Sequence, residues 1–284
     1  MQIQNKIFIP FLQALPCSFR GKNRLARLLL TRTTEECAIP TATGRMVVPN
    51  LVEPVAWDLA RDGCYEPELC RFIRQNVRPG DVCLDIGANI GAISRVMAER
   101  VGPTGRVHAL EPSPQVLQYL QRNTQPFPQI TSHGLAVSAQ SGKKEFYQAP
   151  ETKFGMGTLS ALPGWRATEV AVTTLDEFWQ KTGAPTIRLI KIDVEGHELE
   201  VFQGGREALL NNPEVVVVFE FSDWAEENAY GSSGHSPRFL AEMGFAMGSL
   251  GKGGGLRDLQ GGLPKQGTWN LVACRNLRQR FSLS

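Results

Sequence analysis

The stretch "VCLDIGANIG" (82–91) carries a short apolar run into an acid, Asp85, and then into the small or turn-forming residues Gly87, Ala88, Asn89 and Gly91. Such a run reads as a buried strand ending in a tight turn, and "AISRVMAER" (92–100) reads as the helix that the turn opens. The same succession continues along the chain. "RVHAL" (106–110), "ITSHGLAV" (130–137), "IRLIKID" (187–193) and "VVVVFEF" (215–221) are further β-rich runs, separated by helical stretches at 114–123, 175–182 and 197–212. Ser113 before Pro114 and Ser236 before Pro237 read as helix caps, and Thr174 with Glu177 as a capping box. Alternation of this kind predicts an α/β fold, a parallel sheet with helices on both faces. Two departures are expected. "KKEFYQA" (143–149) and "EVAVTT" (169–174) are extra strands around a glycine-containing loop, and "GFAMGSL" (244–250) with "TWNLVAC" (268–274) form an antiparallel hairpin at one edge.

Composition narrows the class. With 284 residues, 42% hydrophobic and 20% charged, the chain can bury the core of one main domain, which excludes large-scale disorder. A net charge of +2 gives no global field for nucleic acid. Cys17, Cys37, Cys64, Cys70, Cys83 and Cys274 show no CxxC pairing, so they read as the reduced thiols of a cytoplasmic protein rather than a disulfide framework or zinc site. No run approaches the length of a transmembrane helix. Charge is nonetheless uneven: the first 34 residues hold Lys6, Arg20, Lys22, Arg24, Arg27 and Arg32 and no acid, beside "IFIPFL" and "LARLLL". Either a helix there packs its apolar face on the domain and leaves its basic face solvated, or the arm touches an anionic membrane or a partner. Pro10, Gln13 and Pro16 interrupt the apolar stretch and argue against a secretory signal. Residues 1–62 are thus expected to be a basic arm and lead-in, and residues 63–284 the main domain.

In open α/β sheets, ligands sit outside the carboxyl ends of the strands. The residues expected there are Asp85, Glu111, Asp193 with Glu195 just beyond, and Glu220. Glu195 or Glu198 alone would suit a helix N-terminus, but carboxylates converging on one edge point to a site. The glycine spacing, Gly87-x-x-x-Gly91, is not the GxGxxG of a dinucleotide loop, and Asp85 just before it would repel a phosphate. A carboxylate there suits a cationic amine, while Glu111 can accept hydrogen bonds from vicinal ribose hydroxyls. A nucleoside with an ammonium group and no phosphate describes S-adenosylmethionine.

The successive segments "VCLDIGANIGAISRVMAERVGPTGRVHALEPSP", "GLAVSAQSGKKEFY", "TTLDEF" and "IKIDVEGHELEVFQGG", within residues 63–221, resemble the motifs of FkbM-family S-adenosylmethionine-dependent methyltransferases. The resemblance implies a class I, Rossmann-like fold with a mostly parallel seven-stranded sheet, an antiparallel edge hairpin, and a short N-terminal helical or extended segment. It implies that Asp85, Gly87, Ala88, Asn89 and Gly91 hold the methionine moiety and that Glu111 holds the ribose, with Pro112 and Ser113 in the turn beyond. By the same resemblance Ala136 lies beside adenine, and Asp193, Glu195, Gly196 and Glu198 form the DVEGxE signature. Tyr65 and Glu66 could reach the cofactor from a helix start, or Glu66 could cap that helix. For a hydroxyl acceptor a base must take a proton, and Asp193, Glu195, His197 and Glu220 are the candidates, Asp193 being also a cofactor ligand. His197 could equally be a solvated residue of a helix first turn. The carboxylates could bind a divalent cation, but their reading as cofactor ligands is preferred and no metal is expected. The expected activity is O-methylation of a hydroxyl on a sugar, glycan or natural product. Nicotinamide-dependent oxidation, or a non-catalytic module of the same fold, are the alternatives. Phe154, Met156, Trp165, Trp224 and Tyr230 could stack on a sugar face or pack a lid.

Overall fold

The apolar runs at 82–86, 187–192 and 216–222 are buried on both faces, which only the interior of a covered sheet provides. The structure, a computed structural model, describes residues 3–150, 154–259, 262–263 and 267–283. The chain begins with α1 (Ile3–Ala14), α2 (Lys22–Leu29), β1 (Cys37–Ile39), β2 (Met46–Val48) and α3 (Pro54–Asp62). Next come α4 (Pro67–Asn76), β3 (Val82–Ile86), α5 (Ala92–Val101), β4 (Arg106–Leu110), α6 (Pro114–Thr124) and β5 (Ile130–His133). Four strands follow: β6 (Ala136–Val137), β7 (Gly142–Gln148), β8 (Gly157–Thr158) and β9 (Arg166–Thr173). Then come α7 (Leu175–Lys181), β10 (Ile187–Ile192), α8 (Glu198–Gln203), α9 (Arg206–Asn211) and β11 (Val216–Ser222). The last elements are α10 (Asp223–Tyr230), α11 (His235–Glu242), β12 (Ala246–Leu250), β13 (Leu256–Asp258), β14 (Thr268–Cys274) and α12 (Leu277–Arg280).

The central sheet runs β13-β12-β14-β11-β10-β3-β4-β5. Its five strands β11, β10, β3, β4 and β5 are parallel, so their carboxyl ends share one edge. The expected hairpin closes the other side, with β14 lying antiparallel between β11 and β12. Alternation along the strands divides the core in two. Cys83, Leu189, Val216 and Val218 face α4 and α5, while Leu84, Ile190, Val217 and Phe219 face α7 and α8.

Four expectations are corrected. The sheet has eight strands rather than seven, because Leu256–Asp258 of the glycine-rich loop pairs with β12. The run 130–137 divides: β5 joins the main sheet, and β6 pairs with β9 in a separate four-stranded sheet, β6-β9-β7-β8. The helix expected over 197–212 breaks at Gly204 and Gly205, which pass against the Ser138 carbonyl and the Leu175 side chain with no room for a Cβ. Ser236 does not cap α11. Gly234 holds the cap position in a left-handed conformation, and the buried Glu226 carboxylate accepts from the backbone N–H groups of Gly234, His235 and Ser236. Ser113 and Thr174 do cap α6 and α7, accepting from Val116 and Glu177 N–H.

The N-terminal elements pack continuously against the main domain. Ile9, Leu12, Ala26, Ile39 and Met46 form one core with Ile90, Ala92 and Val116. Asn123 of α6 accepts from Val47 N–H at 2.7 Å and donates to the Val47 and Ile90 carbonyls, and Arg95 of α5 donates to the Arg45 and Thr43 carbonyls. Packing therefore runs unbroken across the 62/63 division.

A Cβ at Gly204 would lie 2.3 Å from the Ser138 carbonyl oxygen. Gly204→Ala should lower stability by about 1–3 kcal/mol through overpacking. Urea denaturation should show the midpoint falling at unchanged slope; an unmoved midpoint would mean that the close approach does not set the helix break.

Candidate active site

The parallel strands bring their terminal acids to one cavity. Glu111 follows β4, Asp193 follows β10, and Glu220 projects from β11; all three line it, together with Glu195 and His197 from the turn before α8. Glu53, the cap residue of α3, contributes a fifth carboxylate. Apolar walls come from Leu135, Ala136, Val137 and Phe146, and residues 155–159 form a roof. No Lys or Arg belongs to this lining among the described residues.

Glu111 is held by two backbone donors, Asn89 N–H to Oε2 at 3.0 Å and Ser113 N–H to Oε1 at 2.9 Å. Each oxygen keeps a further lone pair for a ligand. Burial pushes the carboxyl up to about 7 despite those two bonds. Asn89 adopts a left-handed backbone, as does Glu195, and strain of this kind concentrates where structure over-determines a site. The Asn89 amide donates to the Gly155 carbonyl at 3.1 Å and so ties the roof down. A Cβ on Gly155 would lie 2.5 Å from that amide and 3.0 Å from Glu53 Oε1, so the roof closes only as bare backbone.

Behind the lining sits one buried cation. Lys191 Nζ lies 3.2 Å from Asp193 Oδ2 and 3.7 Å from Asp85 Oδ1, and donates to the Gly87 carbonyl at 3.1 Å. Burial alone would depress its pKa, but Asp193, Asp85 and Glu66 outweigh that and hold it charged. The carboxylates outnumber it. Burial, then Asp193, Glu195, Glu198 and Glu66, raise Glu220 far above the carboxylate range. Glu198 is pushed up to about 8 by burial, against the donated N–H groups of Val194 and Gly196.

His197 is no solvated surface residue. Its Nε2 lies 2.9 Å from the Ser160 hydroxyl, and its Nδ1 lies 3.5 Å from Glu200 Oε1. The other Glu200 oxygen accepts from the Tyr230 hydroxyl. Burial would raise Glu200, yet the His197 and Tyr230 contacts bring it below its ordinary value. The carboxylate thus orients the ring, an arrangement suited to a general base.

Of the residues expected at the site, Tyr65, Gly87, Asn89, Glu111, Pro112, Ala136, Asp193, Glu195, His197 and Glu220 line the cavity. Asp85 does not. Fully buried, it accepts from Ser94 Oγ at 2.5 Å and faces Lys191, so the carboxylate expected to meet a ligand's ammonium instead neutralises a lysine on the next strand. Ala88 is buried beside Ala109 and Leu120, and Gly91 caps α5 against Leu120. Ser113 caps α6. Glu66 also stays off the lining: it accepts from Asn270 Nδ2 at 2.8 Å and occupies the α4 cap position without a cap bond. Trp165, Trp224 and Tyr230 are not lining residues, whereas Met156 is. Glu53, Phe146 and Glu200 escaped the sequence reading; only the position of Glu53 before Pro54, a cap signature, was visible there.

Residues 85–247 match the family model for the methyltransferase FkbM domain. The chain is 28% identical over 160 residues to the hexuronic acid methyltransferase AglP of Haloferax volcanii, covering 55% of this chain and 63% of that protein. It is 25% identical over 170 residues to the 2-O-methyltransferase NoeI of Sinorhizobium fredii, covering 54% and 67%. The chain therefore spans roughly two thirds of the length of these relatives. Among solved structures, a methyltransferase FkbM from Methylobacillus flagellatus aligns with 17% identity and a TM-score of 0.43, over 72% of this chain and 50% of that one.

The raised carboxyls fix the sign of a pH dependence. An acid whose folded pKa exceeds its unfolded value of about 4.3 binds more protons when folded, so stability falls as pH rises across that interval. For Glu111 and Glu198 the interval ends near 7 and 8. The ligand-free protein should lose about 5 °C or more in Tm between pH 5.5 and 8.5, and the increment on adding S-adenosylmethionine should grow over the same range. A flat or rising Tm in differential scanning calorimetry would contradict this electrostatic picture.

Proposed function

This chain belongs to the FkbM methyltransferase family, and from that premise we propose that it transfers the methyl group of S-adenosylmethionine to a hydroxyl oxygen of a sugar-like acceptor, with His197 as the base. The observation that carries this reading is a cavity lined, among the described residues, by five carboxylates and no Lys or Arg, beside an imidazole backed by Glu200. Such a lining attracts a cationic ligand and repels a phosphate. The acceptor class is supported by the relatives, one of which is named for hexuronic acid and the other for 2-O-methylation.

The donor set fits the cofactor. The rigid Glu111 carboxylate suits the two ribose hydroxyls, the wall of Leu135, Ala136, Val137 and Phe146 suits a purine, and Asp193 stands beside Gly87 for the ammonium end. S-adenosylmethionine supplies an electrophilic methyl carbon on a sulfonium, which departs as a neutral thioether. The protein's task is alignment and exclusion of water, and the roof held by Asn89 serves both. The Ser160 hydroxyl lies where an acceptor hydroxyl would hydrogen-bond His197 Nε2. A hydroxyl in its place gives its proton to Nε2 as the carbon–oxygen bond forms, and Glu200 stabilises the resulting imidazolium. Burial, and then its acidic neighbours, raise Glu220 far above the carboxylate range, which favours its proton-bearing form over the role of base. The nicotinamide alternative has no place in this family.

A labelled-methyl screen over saccharide, lipid and small-molecule hydroxyls tests the proposal. Transfer to a saccharide is expected, whereas cofactor binding without transfer to any acceptor would favour a non-catalytic module. His197→Gln should lower kcat by about 10²–10⁴ with cofactor affinity nearly unchanged. Glu200→Gln, which removes the carboxylate that orients the ring, should cost less, about tenfold in kcat. An unaltered His197→Gln enzyme would remove His197 from the role of base. Glu111→Gln should weaken cofactor binding by about tenfold or more in calorimetric titration.

A further inference from the structure

Four of the six large apolar side chains left exposed among the described residues lie on the first two helices and the turn between them: Ile7 at 62%, Phe11 at 50%, Phe19 at 47% and Leu28 at 77%. Ile7 and Phe11 share one face of α1, four residues apart. Gln4, on that same face, donates to the Leu29 carbonyl at 3.1 Å and accepts from the Thr31 hydroxyl. The face therefore borders the end of α2, where Leu28 projects. A surface groove lined by Phe19, Arg24, Leu25, Arg27 and Leu28 extends it. The opposite sides of these helices are anchored, since Ile9, Leu12 and Ala26 are buried in the N-terminal core.

The charges on this unit divide in the same way. Lys22 is buried against Asp62 at 2.9 Å, and Arg32 lies over the Trp57 ring. Lys6, Arg20, Arg24 and Arg27 are exposed and form no salt bridge among the described residues, and the first 34 residues contain no acid. We propose that this face seats the protein on the surface of an anionic bilayer, its aromatic and aliphatic side chains entering the headgroup boundary and its cations meeting lipid phosphates and carboxylates. A two-fold contact with a second copy would place like cations opposite one another. No helix among the described residues is long and apolar enough to cross a membrane. The inference stands independently of the reading of the cavity.

Co-sedimentation of the full chain with phosphatidylcholine vesicles, with and without about 30% phosphatidylserine, tests it. Partition should be about tenfold stronger with phosphatidylserine and should fall when salt rises from about 0.05 to 0.5 M. Arg24→Glu with Arg27→Glu should abolish the preference, and Phe19→Ser with Leu28→Ser should weaken binding, while cofactor binding and circular dichroism stay as in the parent. Equal or absent partition of the unaltered protein in both vesicles, or insensitivity to salt, overturns the proposal whatever the variants do. So does a lipid-free dimer in sedimentation equilibrium that Leu28→Ser dissociates.

Discussion

The buried ammonium of Lys191 is the constraint around which the site is arranged. It stands in register beside Asp85 across two parallel strands, reaches Asp193 beyond its own strand, and donates to the carbonyl of Gly87. A lone ammonium in a sheet interior would cost many kcal/mol, and a lone carboxylate likewise; each is tolerable only through the other. One cation faces more carboxylates than it can neutralise, so the surplus is left around the cavity. That surplus sets the preference for a positively charged ligand and, added to burial, raises Glu220 far above the carboxylate range.

The second constraint is steric. Gly87 passes so close to the Asp193 backbone that a Cβ would lie 1.8 Å from the carbonyl oxygen, and Gly157 lies beneath the Phe146 ring with no more room. One contact joins two strand ends of the main sheet and the other seats the roof on the smaller sheet. The cavity is thus shaped by bare glycine backbone pressed against the Asp193 backbone at one point and against the Phe146 and Asn89 side chains at others.

The alternation of strands and helices, the edge hairpin and the acids at strand ends were legible in sequence because each rests on local periodicity or on a residue's place at a strand terminus. What was not legible depends on partners distant in the chain. Asp85 has the right position along its strand but points to Ser94 and Lys191, and nothing local announces that pairing. The lysine itself was a usable signal, since a charge inside "IRLIKID" must find a counterion. Glu200 and Ser160 gained meaning only when folding set them on either side of His197. The strand Leu256–Asp258 was hidden by glycines that suggested only loop, and the division of 130–137 between two sheets left no trace in an evenly β-rich run.

Glu53, Pro54 and Val55 belong to the cavity wall although they precede the first residue shared with the family model by some thirty positions. The shared region measures what related sequences have in common, which is a different quantity from the set of residues that encloses a ligand. A fragment cut at residue 63 would keep every strand of the main sheet yet present its cavity unwalled, with Ile90, Ala92 and Val116 stripped of their cover. The lead-in segment is thus an inner surface of the protein, and a substitution at Glu53, Pro54 or Val55 alters the cavity wall while the sheet beneath stays the same.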